Sequence, residues 1–75
     1  MMNDTIIDIL KDIDEDITAY NGDDLLTDGI IDSFTIMEIV NDLSKKLDID
    51  IPVELITRQN FRTVSSIVEM VKNLE

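Results

Sequence analysis

Aliphatic side chains recur at intervals of three and four residues in three separate stretches of this chain. Residues at these intervals lie on one side of an α-helix, so each stretch predicts a helix with an apolar face that packs inward. In chain order the faces consist of Ile6, Ile9, Leu10, Ile13 and Ile17; of Ile36, Ile39, Val40, Leu43 and Leu47; and of Val64, Ile67, Val68, Val71 and Leu74. The pattern therefore predicts an all-α bundle with an aliphatic core.

The first helix is expected over residues 3–17, with Asn3 or Asp4 as its cap. The pair Asn21-Gly22 is a strong helix breaker, so we expect the helix to fray before it. A long connection over residues 21–32 follows, and such loops are unusual in compact domains unless something holds them. We expect its apolar side chains to pin it to the helices. Those side chains are Leu25, Leu26, Ile30 and Ile31.

The second helix is expected over residues 33–47, where Ser33 suits the N-cap position. Pro52 is well placed to open a short third helix over residues 53–57. A last helix is expected within residues 63–74, where Thr63 can act as its cap.

Two connecting segments carry the remaining expected core residues. The segment 48–52 alternates like a short strand but has no partner strand in this chain, so we interpret it as an extended connector. The connector would place Ile49 and Ile51 in the core. Phe61, in the connection over residues 58–62 before the last helix, would also be a core residue.

The chain has 75 residues, which is enough for one small domain with a modest core. Its formal net charge is −11, from 17 acidic and 6 basic residues. This charge disfavours binding to nucleic acids or anionic membranes, because both are negative, and it favours partners with basic patches. Acidic residues also serve simply to keep a small domain in solution.

The sequence contains neither His nor Cys. A Ser-His-Asp arrangement, a disulfide and a thiolate metal site are therefore impossible, and we expect no enzyme activity and no resident metal. A calcium-binding EF-hand loop that started at Asp12 would have Ile17 and Asp23 where glycine and glutamate are needed. The apolar runs are short and the N-terminal residues do not resemble a signal peptide, so we expect a cytoplasmic protein without membrane insertion. We also expect the protein to be a monomer.

The second helix presents an unusual outward face. Phe34, Glu38, Asn41, Asp42 and Lys45 lie opposite its apolar face, and Met37 lies at the border. Ser33 lies at the positive end of this helix, beside that partly apolar, acidic surface. The pattern indicates an attachment point next to a docking surface. The plainer alternatives are that Ser33 only caps the helix, that Phe34 is partly buried, and that Glu38 and Asp42 are a solvated face.

The segment Gly29-Ile30-Ile31-Asp32-Ser33-Phe34, followed by Ile36-Met37-Glu38-Ile39-Val40, resembles the acyl and peptidyl carrier proteins. It looks most like the small stand-alone carriers, which include the D-alanyl carrier proteins. Ile51-Pro52 and Thr63-Val64 extend the resemblance to nearly the whole chain. It implies a single carrier domain over residues 1–75, with three main helices, one short helix and a long loop between the first two helices.

The resemblance also implies a function. In such carriers the serine that corresponds to Ser33 bears 4′-phosphopantetheine through a phosphodiester, and the arm holds an acyl or aminoacyl group as a thioester. The implied partners are a phosphopantetheinyl transferase, an adenylate-forming acyl or aminoacyl ligase, and downstream acyl-transfer enzymes. Their docking surface would consist of Asp32, Phe34, Met37, Glu38 and Asp42.

Thr35 departs from the family pattern, because many fatty-acid carriers have an acidic residue there. Together with Phe34 it favours a dedicated stand-alone carrier over the main fatty-acid carrier. The alternative function is an unmodified acidic helical module that binds or regulates a partner, for which Ser33 would be dispensable.

Overall fold

The computed structural model describes residues 2–74, and every regular element in that range is helical. Helix α1 spans Met2–Ile13, α2 spans Glu15–Ala19, α3 spans Ser33–Leu47 and α4 spans Val64–Asn73. A short 3₁₀ helix, Val53–Leu55, lies between α3 and α4. This architecture confirms the predicted acyl-carrier-like helical bundle. No helix in the described range combines the length and apolar character needed to cross a bilayer.

The expected first helix over residues 3–17 is divided into α1 and α2 at Asp14. Asp14 has an extended backbone, and its side chain accepts a hydrogen bond of 2.9 Å from the Asp16 N–H. This local bond competes with helix continuation and caps α2 instead. Helix α1 begins at Met2, so the prediction that Asn3 or Asp4 caps it was wrong.

The apolar faces predicted from the sequence meet in one core, with α1 packed against α2, α3 and α4. The buried residues are Ile6, Ile9, Leu10, Ile17, Leu25, Ile31, Ile39, Leu43, Ile51, Phe61, Ile67, Val68, Met70 and Val71. Burial of Ile51 and Phe61 confirms two of the core residues expected from connecting segments, and Ile49 packs against the core. Met70 was missing from the predicted face of α4. Each buried aliphatic side chain contributes about 1.5–3 kcal/mol before chain entropy is counted.

The short helix ends earlier than the predicted range 53–57. The Leu55 carbonyl accepts hydrogen bonds from the Thr57 N–H at 2.9 Å and from the Asn60 side-chain amide at 2.7 Å. These bonds turn the chain away from the helical path after Leu55. Thr63 caps α4 as predicted, since its hydroxyl accepts a hydrogen bond of 3.1 Å from the Ser66 N–H.

The long connection over residues 21–32 is held by apolar contacts, as predicted, and also by polar ones. Leu25 and Ile31 are buried, while the Tyr20 hydroxyl donates to Asp28 Oδ2 at 2.6 Å and accepts from the Asp24 N–H at 2.7 Å. A Cβ at Gly22 would lie 2.5 Å from the Tyr20 hydroxyl oxygen, so the Tyr20 contacts require glycine there.

Both arginines of the chain hold the same connection from the α4 side. Arg62 donates from Nε to the Asp23 carbonyl at 3.0 Å, and its own carbonyl accepts from the Leu25 N–H at 2.8 Å. Arg58 donates from Nη2 to the Thr27 hydroxyl at 2.6 Å. These contacts hold the long connection in place, and they therefore fix the position at which the chain enters α3.

Candidate functional site

The start of α3 is capped by Asp32 and not by Ser33. Asp32 has an extended backbone, with φ −132° and ψ −172°, and its Oδ1 accepts a hydrogen bond of 2.9 Å from the Thr35 N–H. The Thr35 hydroxyl donates to the same oxygen at 3.0 Å. The prediction that Ser33 is the N-cap was wrong, because the aspartate one position earlier has the cap conformation and satisfies the free N–H of the first turn.

Ser33 is therefore the first residue of α3, and its side chain is exposed. Its hydroxyl makes no hydrogen bond to any other residue in the described range. The free N–H groups and the macrodipole of a helix start favour negative charge. A primary hydroxyl without an internal partner, at the positive end of a 15-residue helix, fits a phosphodiester-linked group.

Asp32 carries a negative charge beside this hydroxyl. The hydrogen bond from the Thr35 N–H lowers the pKa of Asp32 below the usual aspartate value, and the Thr35 hydroxyl lowers it further. Desolvation opposes this effect, and the main-chain N–H groups of Phe34 and Asp32 add smaller decreases. Asp32 is therefore an ionised, exposed carboxylate at neutral pH.

The outward face of α3 is apolar at its start and acidic along its length. Phe34 is 87% exposed and Met37 is 56% exposed, so the alternative of a partly buried Phe34 is wrong. Glu38 is exposed one turn after Phe34, and Asp42 is half-buried one turn further. None of these acids forms an ion pair with a residue between positions 2 and 74.

A shallow groove lies beside this face, between α3 and the connector that follows it. The sequence did not indicate it, because residues distant in sequence form its two walls. Met37 and Glu38 belong to both the groove and the outward face, while Asp50 and Ile51 come from the connector. The remaining lining residues are Val40, Asn41 and Ser44.

Residues 4–71 match the family model described as "phosphopantetheine attachment site". The chain belongs to this family of carrier proteins. The D-alanyl carrier protein of Lactobacillus acidophilus is 32% identical over 71 residues, which cover 93% of the carrier and 90% of that relative. The D-alanyl carrier protein of Leuconostoc mesenteroides is 32% identical over 74 residues, with 97% and 95% covered. The protein of the same name from Streptococcus uberis is 33% identical over 61 residues, with 81% and 77% covered.

These matches confirm the resemblance found in the sequence. The protein is a phosphopantetheine-dependent carrier that tethers an acyl or aminoacyl group on its arm and presents it to partner enzymes. The arm is a covalently attached 4′-phosphopantetheine group.

The structure brings four of the carrier's predicted site residues together at one exposed helix start, namely Ser33, Asp32, Phe34 and Met37. Glu38 and Asp42 extend the same face along α3. Val53, on the short 3₁₀ helix, is a further apolar residue that is 76% exposed, but no hydrogen bond in the described range links it to these residues.

Proposed function

We propose that Ser33 is the residue of this carrier that bears the 4′-phosphopantetheine arm. The observation that supports this role is the exposed hydroxyl at the first position of α3, which is free of any capping bond because Asp32 supplies the cap. The proposal includes one carrier domain across residues 1–75.

The attachment step uses coenzyme A as the donor. Ser33 Oγ forms a bond to the phosphorus next to the pantetheine half, the P–O bond to the nucleotide half breaks, and the nucleotide leaves. The hydroxyl proton passes to a base that we assign to the transferase. The start of α3 stabilises the resulting phosphodiester charge by about 0.3–1 kcal/mol.

When bound, the arm supplies a terminal thiol that holds the cargo as a thioester. The carrier itself contributes the tether, which raises the local concentration of the cargo at each partner's active site. We propose that the chain has no catalytic residue of its own, which is consistent with its lack of His and Cys. Transfer chemistry then belongs to the partners.

We further propose that the cargo is an aminoacyl group, with D-alanine as the first candidate. The names of the relatives support this choice. The partners would be a phosphopantetheinyl transferase, an adenylate-forming ligase that loads the amino acid, and a downstream acyl-transfer enzyme. A cytoplasmic location and a monomeric state remain part of the proposal.

The proposed docking surface consists of Asp32, Phe34, Met37, Glu38 and Asp42. Phe34 and Met37 offer exposed apolar area, and the unpaired acids would meet basic side chains and speed encounter. Because Asp42 is half-buried, we expect it to contribute the least of the five to partner binding.

The test of attachment is intact mass after incubation with coenzyme A and a broad-specificity phosphopantetheinyl transferase. Wild-type carrier should gain one phosphopantetheinyl increment, and Ser33→Ala should gain none. Ser65→Ala is the matched control, because Ser65 is an exposed serine in the first turn of α4, and this variant should be modified like wild type. An unmodified but folded wild-type protein would contradict the proposal and favour the unmodified acidic binding module.

The cargo is tested on the modified protein with ATP, D-alanine and a D-alanine-activating ligase, and in parallel with L-alanine. A D-alanyl increment that hydroxylamine removes is the expected result. If the protein accepts the arm but no D-alanine, the proposed attachment site stands and the proposed D-alanyl cargo is refuted.

A further inference from the structure

Thr35 contacts the carboxylate beside Ser33 with both of its hydrogen-bond donors. Its N–H and its hydroxyl lie 2.9 Å and 3.0 Å from the same atom, Asp32 Oδ1. A helix cap requires only the first of these bonds. The second bond fixes the rotation of the carboxylate group as well as its distance from the helix.

The two bonds divide the carboxylate into an occupied oxygen and an available one. A carboxylate oxygen has two lone pairs, and Thr35 occupies both of those on Asp32 Oδ1. Bidentate binding of an arginine guanidinium needs one free lone pair on each carboxylate oxygen, so the bonds from Thr35 disfavour bidentate binding. No residue between positions 2 and 74 donates a hydrogen bond to Asp32 Oδ2, so that oxygen is left for a cationic group that binds a single oxygen.

The start of α4 has the same pair of contacts, but on a neutral group. There the hydroxyl of the capping Thr63 accepts a hydrogen bond of 3.1 Å from the Ser66 N–H and lies 3.0 Å from the Ser66 hydroxyl, and both residues are half-buried. In α3 the same local geometry instead orients an exposed charge next to the attachment serine.

We propose that Thr35 is a positioning residue for the modification of Ser33: it holds Asp32 so that Oδ2 meets a cationic group of the transferase. The inference rests on the proposed attachment at Ser33. The contact between Asp32 and the transferase exists both before and during the chemical step. Losing the orientation should therefore raise the KM for the carrier and leave kcat nearly unchanged.

The test is steady-state phosphopantetheinylation, followed by intact mass, with carrier concentration varied at saturating coenzyme A. Thr35→Val replaces the hydroxyl by a methyl group and keeps the N–H bond, and we expect its KM to rise by about three- to tenfold. Thr35→Ser restores the hydroxyl and should return KM to within about twofold of wild type. Ser66→Ala is the matched control, because it removes the equivalent hydroxyl from α4, and its KM should not change.

A second readout does not depend on the transferase. NMR titration of the Asp32 carboxyl should show a higher pKa in Thr35→Val than in wild type, and an unchanged pKa in Ser66→Ala.

The outcomes separate this role from the attachment itself. Suppose that the wild-type protein is modified. An unchanged KM for Thr35→Val would then overturn the role of Thr35, and so would a failure of Thr35→Ser to restore KM, while the role of Ser33 would stand. Loss of kcat in Thr35→Val with an unchanged KM would also overturn the role of Thr35. No modification of wild type would refute the attachment proposal instead.

Discussion

Helices α3 and α4 begin with the same local geometry in different surroundings. In each, the residue before the helix accepts a hydrogen bond from the N–H three positions later, from Thr35 to Asp32 and from Ser66 to Thr63. The side chain of that third residue contacts the same capping group. The difference lies in what the first helical residues contact.

In α4 the first residue, Val64, packs against the core. In α3 the first residue is the exposed Ser33, and the second is Phe34, whose ring points almost wholly into solvent. A large exposed aromatic side chain does not help to stabilise the isolated fold, and this is why Phe34 belongs to the proposed docking surface. One helix start therefore supports the core, and the other leaves apolar area exposed.

The largest expected effect is on stability, at the fourth residue of each helix. Ile67 of α4 is fully buried and Ile36 of α3 is only half-buried. Ile67→Ala should lower the free energy of unfolding by about 2–5 kcal/mol, a large share of the roughly 5–15 kcal/mol typical of whole domains. Ile36→Ala should lower it clearly less. Urea unfolding of both variants measures the difference, and equal losses would show that the two helix starts are packed alike.

A smaller effect, on recognition alone, is expected at Phe34. Because this side chain is exposed, Phe34→Ala should change the free energy of unfolding by no more than about 0.5 kcal/mol. It should raise the KM of the transferase for the carrier by about tenfold, as expected for an aromatic residue at the centre of an interface. Ile7→Ala serves as the control, since Ile7 is a partly exposed apolar residue of α1. Equal KM values for the two variants would remove Phe34 from the docking surface.

The smallest effect separates the two caps by pH, because Asp32 titrates and Thr63 does not. Hydrogen bonds from Thr35 lower the pKa of folded Asp32, so the unfolded chain binds that proton more readily. Asp32 therefore contributes stability that is fully present above the ordinary aspartate pKa and is lost as pH falls through the lower folded value.

Asp32→Asn should flatten the decline in the free energy of unfolding between about pH 5 and pH 2, while Thr63→Ser should keep the wild-type slope. The hydrogen bond from the Thr27 N–H also lowers the pKa of Asp24, but this contribution is common to all three proteins. Urea unfolding at stepped pH provides the measurement. Parallel curves for wild type and Asp32→Asn would show that the cap bonds do not favour the charged form.

Most of the fold could be predicted from the chain itself, because helical periodicity depends on residues close in sequence. The faces of α3 and α4 and the Thr63 cap follow from spacing and from a suitable capping residue. The division of the first helix at Asp14 was missed, although it also has a local cause in the Asp14–Asp16 bond. Periodicity conceals such breaks, because Ile17 still reaches the core after the interruption.

The candidate site was predicted in part. The motif around Asp32-Ser33 indicated the family, and the comparisons confirm it. Choosing between Asp32 and Ser33 as the cap requires backbone angles, because both residue types suit the position. The roles of the individual site residues remain predictions for the experiments above.

Residue types and their spacing already specify which faces of the helices are apolar, where charge accumulates and which motif precedes α3. All of these depend on residue type and on spacing within a few residues. Tertiary packing leaves Phe34 almost wholly exposed instead of partly buried, brings Asp50 and Ile51 beside α3 to complete a groove, and lets Arg58 and Arg62 hold the long connection. These features depend on contacts between residues distant in sequence, which are formed when the helices pack.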